Sequence, residues 1–160
     1  MALTVEDGTI VDGANSYISA GEYQTWANAR FGSERPAADA SIDTVEAMIL
    51  RATDYFETLD FVGEQLGDMA WPRSHTGFKS TLPQKVILAI YELTYAEEIG
   101  QGMNNSLARQ VVSERVGPIS RTYKNNARSR THLTAVHNTL RPLLRGGSSQ
   151  TGMQFNVCRG

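Results

Sequence analysis

"PQKVILAIYELTYAEEIG", Pro83 to Gly100, decides the fold. Pro83 has the fixed φ that suits the first turn of a helix, and Gly100 offers a stop. Between them Val86, Ile87, Ile90, Leu93, Thr94 and Glu97 recur at helical spacing, with Ala89 and Ala96 as close-packing positions. So much of the circumference is apolar that this helix is expected at the centre of the core.

Toward the N-terminus the sequence offers partners for it. Asp43 with Glu46 three residues later starts a helix on which Val45, Met48, Ile49, Ala52 and Phe56 form an amphipathic stripe. Arg51 and Asp54 on its polar side read as a solvated surface pair. Earlier still, Ser19 and Glu22 give the reciprocal capping pattern and Gly32 a left-handed stop, enclosing Tyr23, Trp26, Ala27 and Arg30 on one face. Residues 1–18 read as a mobile, extended arm with a turn at Asp12-Gly13. "TLDFVGEQLGDMAWPR" holds Gly63 and Gly67 and no sustained period, which predicts an ordered connector ending at Trp71-Pro72.

Toward the C-terminus the period changes. Val111, Val112, Val116, Ile119 and Tyr123 are β-formers around the turn signal Gly117-Pro118, so a hairpin is expected at about 109–124, with Arg109, Arg115, Arg121 and Lys124 exposed. A last helix is expected from near Thr131, with Leu133, Val136, Leu140, Leu143 and Leu144 on one face, a kink at Pro142 and an end at Gly146-Gly147. "SSQTGMQFNVCRG" follows as a tail with a strand-like run from Met153 to Cys158. The expected architecture is mainly α: four helices with a small β-hairpin over residues 1–147, an extended arm at each end, and a tail over 148–160.

The 160 residues suffice for one sizeable core. The single Cys158 forms no internal disulfide, no apolar run approaches a membrane span, and the first residues lack the pattern of a signal peptide, so a cytoplasmic protein with no membrane partner is expected. The formal charge of -2 hides an asymmetry. Through residue 70 there are thirteen Asp and Glu against three Arg, a net of -10; from Trp71 onward there are four Glu against twelve Lys and Arg, a net of +8. A chain polarised in this way can meet copies of itself head to tail or an anionic partner with one end, unless the fold mixes the halves.

Catalytic and metal signatures are weak. His132 and His137 are five apart, off a common face, and His75 has no Cys or carboxylate nearby at ligand spacing. Ser74 and His75 are neighbours, a poor arrangement for nucleophile and base, and nothing marks Cys158 as an activated thiol. No catalytic residue, cofactor or metal is expected. Arg109, Arg115, Arg121, Lys124, Arg128 and Arg130 make a basic stretch that could face phosphates. Tyr123 is the only aromatic between Tyr95 and Phe155, which fits loose contact with a passing duplex better than single-strand capture.

Several segments in order, "DGANSYIS", "LRATDYFE", "AWPR", "LPQKVILAIYEL", "SERVGPISRTY" and "LRPLLRGG", resemble a family of tailed-phage proteins described as DnaT-like DNA-binding proteins or as head–tail connector (adaptor) proteins. The connector resemblance implies a non-catalytic virion protein of the neck, assembled in the host cytoplasm as a ring, commonly a dodecamer, beneath the portal. Its implied partners are further copies of the chain, the portal protein, a tail or stopper/nozzle protein, and double-stranded DNA passing without sequence preference. On that reading Phe155, Val157 and Arg159 are the expected portal contacts, and Arg121 and Lys124 face a neighbouring subunit or the DNA-lined lumen. Trp71 is expected as a core anchor, Pro72 as a block to helix, and Arg73 as a donor to nearby backbone or a carboxylate, with the subunit interface or channel as the alternative for Arg73. The competing functions are a single-stranded-DNA-binding protein and an enzyme such as a cell-wall hydrolase.

Overall fold

The computed structural model describes residues 3–74, 82–101, 111–115, 120–123 and 133–146. It is mainly helical. Helices α1 (Ala20–Phe31), α2 (Ile42–Glu57), α3 (Gln84–Glu98) and α4 (Thr134–Leu140) are joined by two two-stranded antiparallel pairs, β1 (Glu64–Gln65) with β2 (Arg73–Ser74), and β3 (Val111–Arg115) with β4 (Ser120–Tyr123). Helix α3 packs against each of the other three, so it occupies the centre. Val86, Ala89, Ile90 and Leu93 on α3 are fully buried against Val45, Ile49, Ala52 and Phe56 of α2 and Val136 and Leu140 of α4 in one continuous core.

Local chemistry explains where the helices begin and end. Helix α1 has the reciprocal capping box: Glu22 N–H donates to Ser19 Oγ and Ser19 N–H to Glu22 Oε2. Gly32, at φ 81°, takes the positive φ that other residues avoid and donates its N–H to the Asn28 carbonyl. Helix α2 starts two residues earlier than Asp43 suggests. Its cap is Ser41, whose Oγ accepts from Thr44 N–H, and nothing prevents the preceding turn from forming because Ile42 stays exposed. Arg51, expected beside Asp54, reaches instead from α2 to Glu97 of α3 at 2.9 Å.

Helix α4 ends at Leu140, short of the kinked helix expected through Leu144. Pro142 has no N–H to continue the ladder, and Leu143 N–H turns back to the Leu140 carbonyl. The chain then lies along the segment after α2: Val62 N–H donates to Leu143 O, Arg145 N–H to Asp60 O, and Phe61 bridges Leu144.

The N-terminal arm is extended but tied down rather than mobile. Val5 bridges Ser16, and the buried Glu6 carboxylate accepts the backbone N–H groups of Gly8, Ile10 and Val11. This fixes Ile10 at φ 66°, with its side chain so close to Gly67 that a Cβ there would lie 2.9 Å from Ile10 Cγ2. The connector after α2 carries the β1–β2 pair, which no period in the sequence announced, with Glu64 opposite Ser74 and Gln65 opposite Arg73. The expected hairpin at about 109–124 is present as β3–β4, with Glu114 opposite Arg121 and an irregularity between Val111 and Ser113.

Candidate nucleic-acid interface

Capping and stopping of α1 at fixed points sets which residues meet α3. Tyr23 and Ala27 are buried, while Trp26 and Phe31 fall on the seam where α1 lies beside α3. Across that seam stand Tyr91 and Tyr95, four residues apart and therefore on one face of α3. Trp26 stacks on Tyr91 with ring centroids 5.0 Å apart and planes within 15°. Phe31 stacks on Tyr95 at 3.8 Å and 6°. The two tiers meet edge to face, Trp26 against Phe31 at 5.6 Å. Each ring is part-exposed, Phe31 the most at 38%, and Ile99 continues the apolar strip beyond Tyr95.

Charge at the seam is sparse and mixed. The Arg30 guanidinium lies 5.4 Å from the Trp26 ring centre, a cation–π distance, and pairs loosely with Glu92 at 3.5 Å. Its side chain is 55% exposed, so it can exchange these partners for an anion from solvent. Burial, then the charge of Glu22, pushes the Tyr91 phenol above its ordinary value, so it stays neutral.

Beneath the seam a buried polar node holds α1, α3 and the loop between α1 and α2 together. Arg35 Nη1 pairs with Glu98 Oε2 at 2.7 Å with both side chains out of solvent. The same carboxylate accepts the Tyr23 hydroxyl and the Ala37 N–H, while Arg35 Nε donates to Asn28 Oδ1. Burial pushes the Glu98 carboxyl up, but the hydrogen bonds from Tyr23, Ala37 and Arg35, with the Arg35 charge, outweigh it and hold the group below the ordinary carboxylate value. Tyr23 in turn lies 6.2 Å from Trp26, so the node supports the first tier from below.

A second network closes the connector after α2. Glu57 accepts the Tyr17 hydroxyl and the Ala70 N–H, and the Tyr17 oxygen accepts the Trp71 N–H. Burial dominates here and raises the Glu57 carboxyl above its ordinary value. It also raises the Tyr17 phenol. Trp71 is fully buried, edge-on to Phe61 at 6.0 Å, and Pro72 beside it is also buried. Arg73 spreads its guanidinium over the carbonyls of Phe61, Val62, Gly63 and Ala70, at 2.7–3.3 Å. Trp71 and Pro72 therefore lie in the interior, and the half-buried Arg73 beside them is occupied with backbone carbonyls.

The other residues singled out in the sequence are not gathered by the described structure. Arg121 lies in β4 beside Ser120 and Thr122, and Lys124, Arg109, Arg128, Arg130, Phe155, Val157 and Arg159 lie outside the described residues. Among the described residues no group of three or more His, Cys, Asp and Glu could hold a metal ion, and no helix is long and apolar enough to cross a membrane. The aromatic seam was not singled out. Of its four rings only Trp26 stands on a face that helical spacing marks, and their juxtaposition depends on contacts between residues about sixty-five apart.

No curated protein and no solved structure matches the chain. A family model described as "Putative DnaT-like ssDNA binding protein" matches residues 1–160. Of the two descriptions joined in the resemblance, only the DNA-binding one is supported, so the head–tail connector assignment and its role in virion assembly are corrected. The match runs the whole length of the sequence, and the chain belongs to the DnaT-like family.

Proposed function

We propose that this chain binds single-stranded DNA. The observation that carries the reading is the two-tier seam of part-exposed rings, Trp26 on Tyr91 and Phe31 on Tyr95. Proteins that hold unpaired strands without sequence preference combine aromatic faces, on which any base can stack, with cations for the backbone. Two helices supply the rings, Arg30 supplies a cation beside them, and the net +8 of the second half of the sequence attracts phosphates at longer range. The description of the family points the same way.

A duplex offers phosphates but keeps its bases stacked on one another, so the seam gives it nothing beyond charge. Fluorescence anisotropy with a labelled thymidine oligomer, and with the same strand annealed to its complement, tests this at physiological salt. The single strand is expected to bind at least tenfold more tightly. Equal affinity for the two, or no binding to either, contradicts the proposal.

A further inference from the structure

Resting on that reading, we infer that the seam is a two-base site: adjacent unpaired bases of one strand stack on its two tiers, and Arg30 moves from Trp26 to the intervening phosphate. The spacing of the tiers is the reason. Trp26 and Phe31 are 5.6 Å apart, and Tyr91 and Tyr95, four residues apart on α3, are separated by about 6 Å along the helix axis. Successive bases in a B-form strand are about 3.4 Å apart and stacked. Because Trp26 and Phe31 meet at 76° rather than parallel, a strand that serves both tiers must unstack two adjacent bases and turn one nearly perpendicular to the other, which pairing with a complement prevents.

Each tier keeps part-exposed ring surface. Phe31 already stacks on Tyr95, and its 38% exposure leaves ring surface on which a base can extend the pair. Over Trp26 the place is held by the Arg30 guanidinium, a planar cation on an aromatic ring and a poor substitute for a base in contact area. Its other partner, Glu92, is 3.5 Å away and 29% exposed, a pair that costs little to break. A base arriving on Trp26 displaces Arg30 toward the backbone, where the guanidinium fits a phosphate. With Glu22 and Glu92 nearby and a single mobile cation, the site draws on stacking far more than on charge.

Two signatures separate this from capture by the basic stretch. A site using one phosphate contact changes log affinity by about -0.7 per tenfold change in salt, against several times that for a many-lysine surface. Loss of a base should matter more than loss of charge. The full chain is titrated with a ten-nucleotide thymidine oligomer and with the same oligomer carrying two adjacent abasic sites, for wild type, Phe31→Leu, Phe31→Ala and Arg30→Ala, each first checked for an unchanged melting curve. Phe31→Leu keeps apolar volume without a stacking face, so it remains informative if Phe31→Ala fails to fold.

Wild type is expected to quench Trp26 emission on binding the intact oligomer and to prefer it over the abasic oligomer. Phe31→Leu is expected to bind the intact oligomer about tenfold more weakly with an unchanged salt slope, and Arg30→Ala to flatten the slope by about 0.7. If wild type binds neither oligomer, the single-strand reading itself falls. If wild type binds but Phe31→Leu binds as well and Trp26 emission does not change, the two-base site is refuted and the broader reading stands.

Discussion

Glu57 and Glu98 show how two carboxylates of one fold come to respond oppositely to acid. Glu98 is held below its ordinary value of 4.5, so its stabilising contribution is complete above that pH and is lost as pH falls through the folded value. Glu57 is raised above 4.5, so the contribution of its neutral form is complete below that pH and is lost as pH rises through the folded value. Denaturant midpoints measured from pH 3 to 7 should therefore show Glu98→Gln with less loss of stability on acidification than wild type, and Glu57→Gln with less decline above about pH 4.5. Parallel profiles for both variants would contradict these environments. At neutral pH Glu98→Gln should also cost about 3–5 kcal/mol, because the Arg35 charge is left buried beside a neutral group. Ser19, Glu22 and Gly32 were legible at this scale because a cap is a local pattern. The burial of Glu6, Arg35 and Glu98 was not, since charged residues at those positions look like surface until the segments that cover them are placed.

At the scale of elements, the connector between α2 and α3 behaves as part of the core. Trp71 fills the interior against Phe61, and Arg73 satisfies four carbonyls of the turn that brings β1 and β2 together. Trp71→Ala should destabilise the fold by about 3–5 kcal/mol, which for a chain of this size lowers the melting temperature by roughly 6–20 °C. A melting curve unchanged by that substitution would place Trp71 outside the cooperative core. The helices themselves were readable from periodicity because each buries one continuous face of α1, α2 or α3. Two features escaped it for physical reasons. A two-residue strand such as β1 is too short to show a period, and its pairing depends on a turn held by Arg73. The end of α4 depends on whether a proline kinks or stops a helix, and here Leu143 O and Arg145 N–H beyond Pro142 bond Val62 N–H and Asp60 O instead, bridging Leu144 to Phe61.

Over the whole molecule, the division of charge and the placement of the rings do different work. Within the basic stretch Tyr123 is the lone aromatic; the fold supplies stacked rings from α1 and α3 instead, which periodicity reveals only as apolar faces. Sequence spacing shows that a helix has such a face but not which neighbour covers it, nor that the cover stops short at Trp26, Phe31, Tyr91 and Tyr95. On the proposed function, the basic second half accelerates encounter with a phosphate backbone, while the seam distinguishes an unpaired strand from a duplex. The most direct measurement is photo-crosslinking of the full chain to a single-stranded oligonucleotide carrying a photoreactive thymine analogue, with the attached residues located by mass spectrometry. Attachment at Trp26, Phe31, Tyr91 or Tyr95, competed away by unlabelled single strand and not by duplex, is the predicted result. Attachment confined to residues 109–130, or competed equally by duplex, would contradict it.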